Sequence, residues 1–181
     1  MPELVENADA VEIQQETAAD YSKVRVVNVA AFKRDNEANL VDALRHNNDA
    51  FVRELSLIAN RGNEIVGYTL FSKIKIAGHE NHRALALGPV AVKPEFQGQG
   101  IGSQLIRTGL RKAAELGYDS VLLLGHPEYY PRFGFKPASH WNITTSYNAP
   151  AATFLRELKE GSLIGISGLV QYAPEFALNG C

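Results

Sequence analysis

The stretch "PEFQGQGIGSQL", residues 94–105, constrains this chain most. Gly98, Gly100 and Gly102 fall within five positions, between an apolar run and a helical pattern. Glycine loses more backbone freedom on folding than any other residue, so such a cluster needs a cause. Downstream, Ile101, Leu105, Gly109, Leu110 and Ala113 share one helical face, and Arg107, Arg111, Lys112 and Glu115 the other. That spacing predicts an amphipathic helix over 101–116, with Gly117 placed to end it. Strand, glycine loop and helix, in that order, aim backbone N–H groups and a positive helix end at an anion.

Three phosphate-binding designs compete for this loop. A P-loop needs a lysine after its last glycine, and Ser103 follows Gly102 instead. The dinucleotide fingerprint needs a third glycine where Ser103 stands, and an acid at the end of the next strand. That strand runs into Gly125-His126. The remaining design is Q/R-x-x-G-x-G/A, which Gln97, Gly100 and Gly102 satisfy. A glycine turn without a ligand is the plain alternative.

The rest of the chain reads as alternating strands and helices. "VEIQQET" (11–17) alternates as a half-buried strand does. Thr17 and Asp20 form a T-x-x-D start for a helix carrying Tyr21, Val24, Val27 and Ala31. A second short helix is expected around 36–46, with Leu40, Val41 and Leu44. Residues 55–77 read as two strands about the turn Asn60–Asn63. "ALALGPVAVKP" (84–94) is another strand, broken by Gly88-Pro89. Proline there marks an edge, a bulge or a strand leaving its neighbour. "SVLLLG" (120–125) reads as a strand buried on both faces. Beyond it, a helix is expected over 151–160 and a last strand near 168–173. Residues 1–10 read as a polar tail, and 11–181 as one mixed α/β domain.

Composition narrows the function classes. Hydrophobic residues at 45% and charged residues at 21% argue against disorder. A net charge of −2 gives no general pull toward nucleic acid or an acidic membrane. The single cysteine, Cys181, cannot form an internal disulfide. No apolar run approaches the ~20 residues of a spanning helix, so a soluble cytoplasmic protein is expected.

The loop resembles the acetyl-CoA loop of the GCN5-related N-acetyltransferase (GNAT) superfamily, in particular a bacterial subgroup. "YYPRFGF" (129–135) resembles that family's Y-x-x-x-G-F segment, and the two motifs occur in order, one helix and one buried strand apart. The resemblance implies a twisted, mostly antiparallel mixed sheet with splayed central strands, flanked by helices. It implies acetyl-CoA as acyl donor, held by Val90, Ala91 and Val92 and by the loop Gln97, Gly98, Gln99, Gly100, Ile101, Gly102 and Ser103, with Tyr130 and Phe133 nearby. A small-molecule or peptide amine is the implied acceptor, and a homodimer is compatible with the pattern.

An amine attacking a thioester must lose a proton, and the thiolate leaves best if protonated. Tyr130 stands at the family's general-acid position by resemblance; Tyr129 is read as its packing partner. No base is evident. His126 and Glu128 lie near the expected centre, and Glu54 before the second strand is a further candidate. His79, Glu80 and His82 do not have helical zinc-motif spacing, and no metal is expected. Cys181 need not act as a nucleophile. A noncatalytic acyl-CoA-binding sensor or scaffold is the alternative function.

Overall fold

The structure, a computed structural model, describes residues 10–181; most of the expected N-terminal tail lies outside the described residues. Strand β1 (Val11–Gln15) leads through a turn at Ala18–Asp20 into helices α1 (Tyr21–Phe32) and α2 (Asn36–Leu44). The Thr17 N–H donates to the Asp20 carboxylate at 2.8 Å, and the Asp20 N–H to the Thr17 carbonyl at 2.9 Å. The T-x-x-D pattern therefore starts this turn, which feeds α1. Next come β2 (Ser56–Arg61), β3 (Glu64–Ile76), β4 (Ala84–Val92), α3 (Ile101–Glu115) and β5 (Ser120–Leu124). The remainder holds short strands β6 (Lys136–Pro137), β7 (Ile143–Thr144), β8 (Thr153–Glu157) and β9 (Gly168–Gln171), then helix α4 (Pro174–Leu178).

The sheet order is β1-β2-β3-β4-β5-β8-β6, with β9 joining the far end of β3 and also pairing β7. Among these pairs, β4–β5 and β7–β9 are parallel and the rest antiparallel. The expected mixed, mostly antiparallel sheet is what forms. Alternation along each strand divides the core. Ile58, Tyr68 and Leu70 pack with Val24, Val27, Leu40 and Leu44 of α1 and α2. Leu57, Ala59 and Val66 meet Ile101 and Leu105 of α3, while Phe71, Leu85 and Leu87 meet Ile106 and Leu110. Each large apolar side chain so buried contributes about 1.5–3 kcal/mol. Helix α3 lies close to the sheet because Gly109 leaves room for the Phe71 ring; a Cβ there would stand 2.1 Å from the ring's Cε2.

A buried polar network ties α2 to β1, β2 and β3. Arg45 donates to both Glu16 oxygens, Nε at 3.1 Å and Nη2 at 2.7 Å. Ser56 Oγ also donates to Glu16 and lies 2.8 Å from the Tyr68 hydroxyl. The Arg45 guanidinium stacks 3.8 Å above the Tyr21 ring. Buried charges need such partners, because the interior offers no water to replace them.

One expected element is corrected. Residues 151–160 were expected to be helical, but Thr153–Glu157 forms β8, paired along its length with β5 and with β6 on its other edge. Phe154 and Leu155 are 3% and 0% exposed, one on each face of the sheet. Sheet pairing and burial on both faces override the local helical pattern.

Candidate active site

The parallel ladder between β4 and β5 is short. It joins Ala84–Ala86 to Ser120–Leu122 and stops, although β4 continues to Val92 and β5 to Leu124. The strands part where the sequence places Gly88-Pro89. The β3–β4 register shifts between Thr69 and Phe71, and Thr69 Oγ1 donates to the Pro89 carbonyl at 3.0 Å. Pro89 is thus both a bulge marker and the point of departure, two of the meanings its position allowed.

Backbone alternation shows which groups face the gap. The Lys93 N–H donates to the Val66 carbonyl at 2.9 Å, so Lys93 and, two residues earlier, Ala91 bond to β3. The main-chain groups of Val90 and Val92 therefore point away from β3, toward the side β5 has left. The Gln97 side chain uses one of them, donating from Nε2 to the Val92 carbonyl at 2.9 Å. Ala91 differs from its neighbours: its main chain belongs to the β3 ladder and its side chain is 1% exposed.

The glycine loop opens α3. Gly98 and Gly100 have φ of +74° and +80°, and no atom lies within 4 Å of where their Cβ would be. Packing does not demand glycine at either position; the left-handed backbone does, and the space beyond is open. Helix α3 has no side-chain cap and no acid in its first turn. Its first intrahelical bond runs from Gln104 N–H to the Gly100 carbonyl at 3.0 Å. The N–H groups of Ile101, Gly102 and Ser103 are the helix's first-turn donors, at its positive end. Ile101 offers only main chain, since its side chain is 2% exposed in the core. The Gln97 N–H closes a turn on the Pro94 carbonyl at 3.3 Å, so the loop's outward donors begin at Gly98. Gln99 accepts from Arg61 Nη1 at 3.1 Å.

The "YYPRFGF" segment sits at the end of β5. Tyr129 and Tyr130 stack edge to face, with ring centroids 5.1 Å apart. The Tyr129 hydroxyl lies 3.2 Å from Ser103 Oγ, on the loop side. Tyr130 turns into the gap. Its ring covers Gly125 so closely that a Cβ there would stand 2.1 Å from Cε2. Burial, and then Tyr129, push its phenol up to about 12. Phe133 is 2% exposed and forms the floor beneath both tyrosines, with Arg107 stacked 4.9 Å over its ring.

A cavity of about 300 Å³ lies at the parted strands. Leu87–Val90, Leu122–Leu124 and Tyr130 form one side. The other comes from the α1–α2 region (Phe32, Arg34, Glu37 and Leu40) and from Tyr147, Tyr172, Phe176 and Cys181. The C-terminal part is held by Asn36 Nδ2 at the start of α2, donating to the Asn179 carbonyl at 3.0 Å, and by Asn47 Nδ2 just beyond the end of α2, donating to Glu175 at 3.0 Å. Burial, with Glu37 adding to it, pushes the Cys181 thiol up and keeps it protonated.

The expected base candidates lie elsewhere. His126 and Glu128 are exposed and off the cavity wall. Glu54 is exposed, in a separate surface depression with Arg53 and Arg83. His82 Nε2 lies 2.7 Å from Ser120 Oγ, while His79 accepts from the Ser167 N–H at 3.4 Å. The carboxylate side chain that does line the cavity is Glu37, which no sequence motif marks. A glutamate three residues after an arginine at the start of a short helix carries no local signal.

The chain belongs to the acetyltransferase (GNAT) family, whose sequence pattern matches residues 26–135. It is 35% identical to the uncharacterised N-acetyltransferase YhbS of Escherichia coli K12 over 148 residues, 81% of this chain and 86% of that protein. It is 39% identical to the uncharacterised N-acetyltransferase YjhQ of the same strain, over 67% of each. Among solved structures, that of E. coli YhbS in complex with CoA matches with a TM-score of 0.85 at 32% identity, covering 92% of both chains. A GNAT acetyltransferase from Brucella melitensis in complex with acetyl-CoA matches with a TM-score of 0.75 at 33% identity, over 92% of this chain and 98% of that one. No helix among the described residues is long and apolar enough to cross a membrane.

Proposed function

We propose that this protein transfers the acetyl group of acetyl-CoA directly to a primary amine, with Tyr130 as general acid. One observation carries the reading. The uncapped start of α3 sits beside Val90 and Val92, a Cβ on Gly102 standing 3.8 Å from each, and Val90 and the Tyr130 ring line the place where β4 and β5 part. The residues suit the donor. Outward N–H groups from Gly98 to Ser103 match a pyrophosphate, as an uncapped helix end does. Free main-chain groups on β4 match the amides of a pantetheine arm. Related proteins of about 33% identity are crystallised with CoA or acetyl-CoA.

Acetyl-CoA supplies the activated thioester. The acceptor arrives as an ammonium and must shed one proton, to solvent water, to expose its lone pair. As the nitrogen–carbon bond forms, the carbon–sulfur bond breaks and the sulfur takes the Tyr130 proton. The proton then lost from nitrogen restores the phenol, leaving an amide and CoA thiol. A phenol pushed up to about 12 stays protonated at neutral pH, as an acid must. No covalent enzyme intermediate is needed, and the protonated Cys181 thiol is not asked to be one.

The test has two arms. Calorimetry should detect acetyl-CoA binding, and CoA release should accelerate with at least one amine from a panel of monoamines, polyamines, amino acids and peptides. Binding without amine-dependent release across the panel would favour a noncatalytic acyl-CoA-binding module.

A further inference from the structure

Two charged side chains line the cavity wall facing the parted strands, and they are paired. Glu37 is 7% exposed at the second position of α2. A carboxylate this deep needs a cation. Arg34 provides one, with Nε donating to Oε1 at 3.1 Å and to Oε2 at 3.0 Å, and Nη2 adding a further contact to Oε1. The pair is asymmetric: the Glu37 side chain is 9% exposed and that of Arg34 is 53% exposed. The anion is fixed on a helix start, which also favours negative charge. The cation sits on a long stem with solvent to move into.

The rest of that wall is apolar or aromatic, Phe32, Leu40, Tyr147, Tyr172 and Phe176, with Cys181 beside the ion pair. The Tyr172 hydroxyl is buried and has no hydrogen-bond partner, and burial pushes its phenol up, so it is a neutral group. A small cavity with aromatic walls and one embedded carboxylate suits a compact organic cation. We infer that the acceptor is a primary amine on a short aromatic body without an acidic group, and that Glu37 receives its ammonium. Arg34 is then a stand-in counter-ion that yields its place when the amine enters. An acceptor bearing its own carboxylate would set a second anion beside Glu37 and would need Arg34 to stay. The inference rests on the N-acetyltransferase reading and adds the substrate class.

The probes are phenethylamine and phenylalanine, which differ by one carboxylate, used with acetyl-CoA and the full chain in a CoA-release assay. Phenethylamine should be the better acceptor by about tenfold or more in kcat/KM, the effect of one charge-assisted contact. Glu37→Gln should raise its KM by about tenfold or more, while acetyl-CoA affinity, read by calorimetry, stays within about twofold. Arg34→Gln removes the competing cation and should lower the KM for phenethylamine. Preference for phenylalanine, or a raised phenethylamine KM in Arg34→Gln, would overturn the inference and point to an anion-bearing acceptor. So would an unchanged KM in Glu37→Gln, or no turnover of either probe by a protein that binds acetyl-CoA and turns over another amine. Failure of the wild-type chain to bind acetyl-CoA would instead remove the reading on which the inference stands. Should Glu37→Gln fail to fold by circular dichroism, the probe pair and Arg34→Gln still decide.

Discussion

Replacing Gly125 by alanine tests whether the placement of Tyr130 matters to the reaction. The added Cβ would stand 2.1 Å from Tyr130 Cε2, 2.8 Å from Cδ2 and 3.1 Å from Cζ. Carbon atoms rest comfortably at about 3.5–4.0 Å, so the ring must withdraw by roughly 1.5 Å. It has little room, with Phe135 at 6.0 Å and Tyr129 at 5.1 Å between ring centroids. Overpacking of this kind costs about 1–3 kcal/mol of stability. A displacement of about 1 Å at a reacting group can lower the rate by roughly 10²-fold. The expected outcome is a fall in kcat of about 10- to 100-fold, with acetyl-CoA affinity by calorimetry changed far less. A thermal melt with and without acetyl-CoA separates loss of fold from loss of placement. The same substitution in a Tyr130→Phe background should add little to the kcat defect, because the proton donor is already gone. If Gly125→Ala melts lower yet keeps full kcat, under conditions where chemistry limits the rate, Tyr130 is packing and not the acid.

Further outcomes are expected. Tyr130→Phe should lower kcat by about 10²–10⁴-fold with little change in melting temperature, and an undiminished kcat would remove the acid role. With the phenol pushed up to about 12, kcat should not lose its acid on the alkaline side until pH nears that value. The same upward shift adds stability that is complete below a tyrosine's usual pKa of about 10 and is lost as pH rises toward 12, which alkaline denaturation curves would register. Gly100→Val forces a β-branched residue to φ +80° at the start of α3 and should weaken acetyl-CoA binding; unchanged affinity in a folded variant would take the loop out of the site. Glu16→Ala leaves Arg45, whose side chain is 5% exposed, with Asp42 as its remaining carboxylate partner and should cost about 1–3 kcal/mol in urea denaturation, whereas an unchanged midpoint would show that Asp42 alone satisfies the guanidinium.

Much of the backbone of the proposed donor site was legible in the chain itself. Gly98 and Gly100 announce left-handed backbone, the period of Ile101, Leu105 and Leu110 announces the helix behind them, and "YYPRFGF" lies one buried strand further on. These signals are local: each depends on residues close together in sequence, where backbone sterics and helical spacing act directly. Segment 151–160 shows where local signals fail. Its apolar spacing suits a helix, yet β5, having left β4, needs a partner on its other edge, and Thr153–Glu157 fills it. His126 and Glu128 stand close to Tyr130 in sequence, and the turn after β5 leaves both side chains in solvent.

The cavity wall opposite the parted strands, the proposed acceptor side, was decided by tertiary structure alone. Glu37 and Arg34 come from the junction of α1 and α2, Leu123 from β5, and Tyr147, Tyr172 and Phe176 from more than a hundred residues beyond Arg34. No periodicity links residues so far apart. They meet because α1 and α2 cover one face of the sheet and because α4 and the chain around it are bonded to Asn36 at the start of α2 and to Asn47 just beyond its end. A sequence can state which backbone a loop must adopt, since that energy lies within a few residues. Which side chains share a cavity depends on how whole elements pack, and that is settled only when the long-range contacts form together.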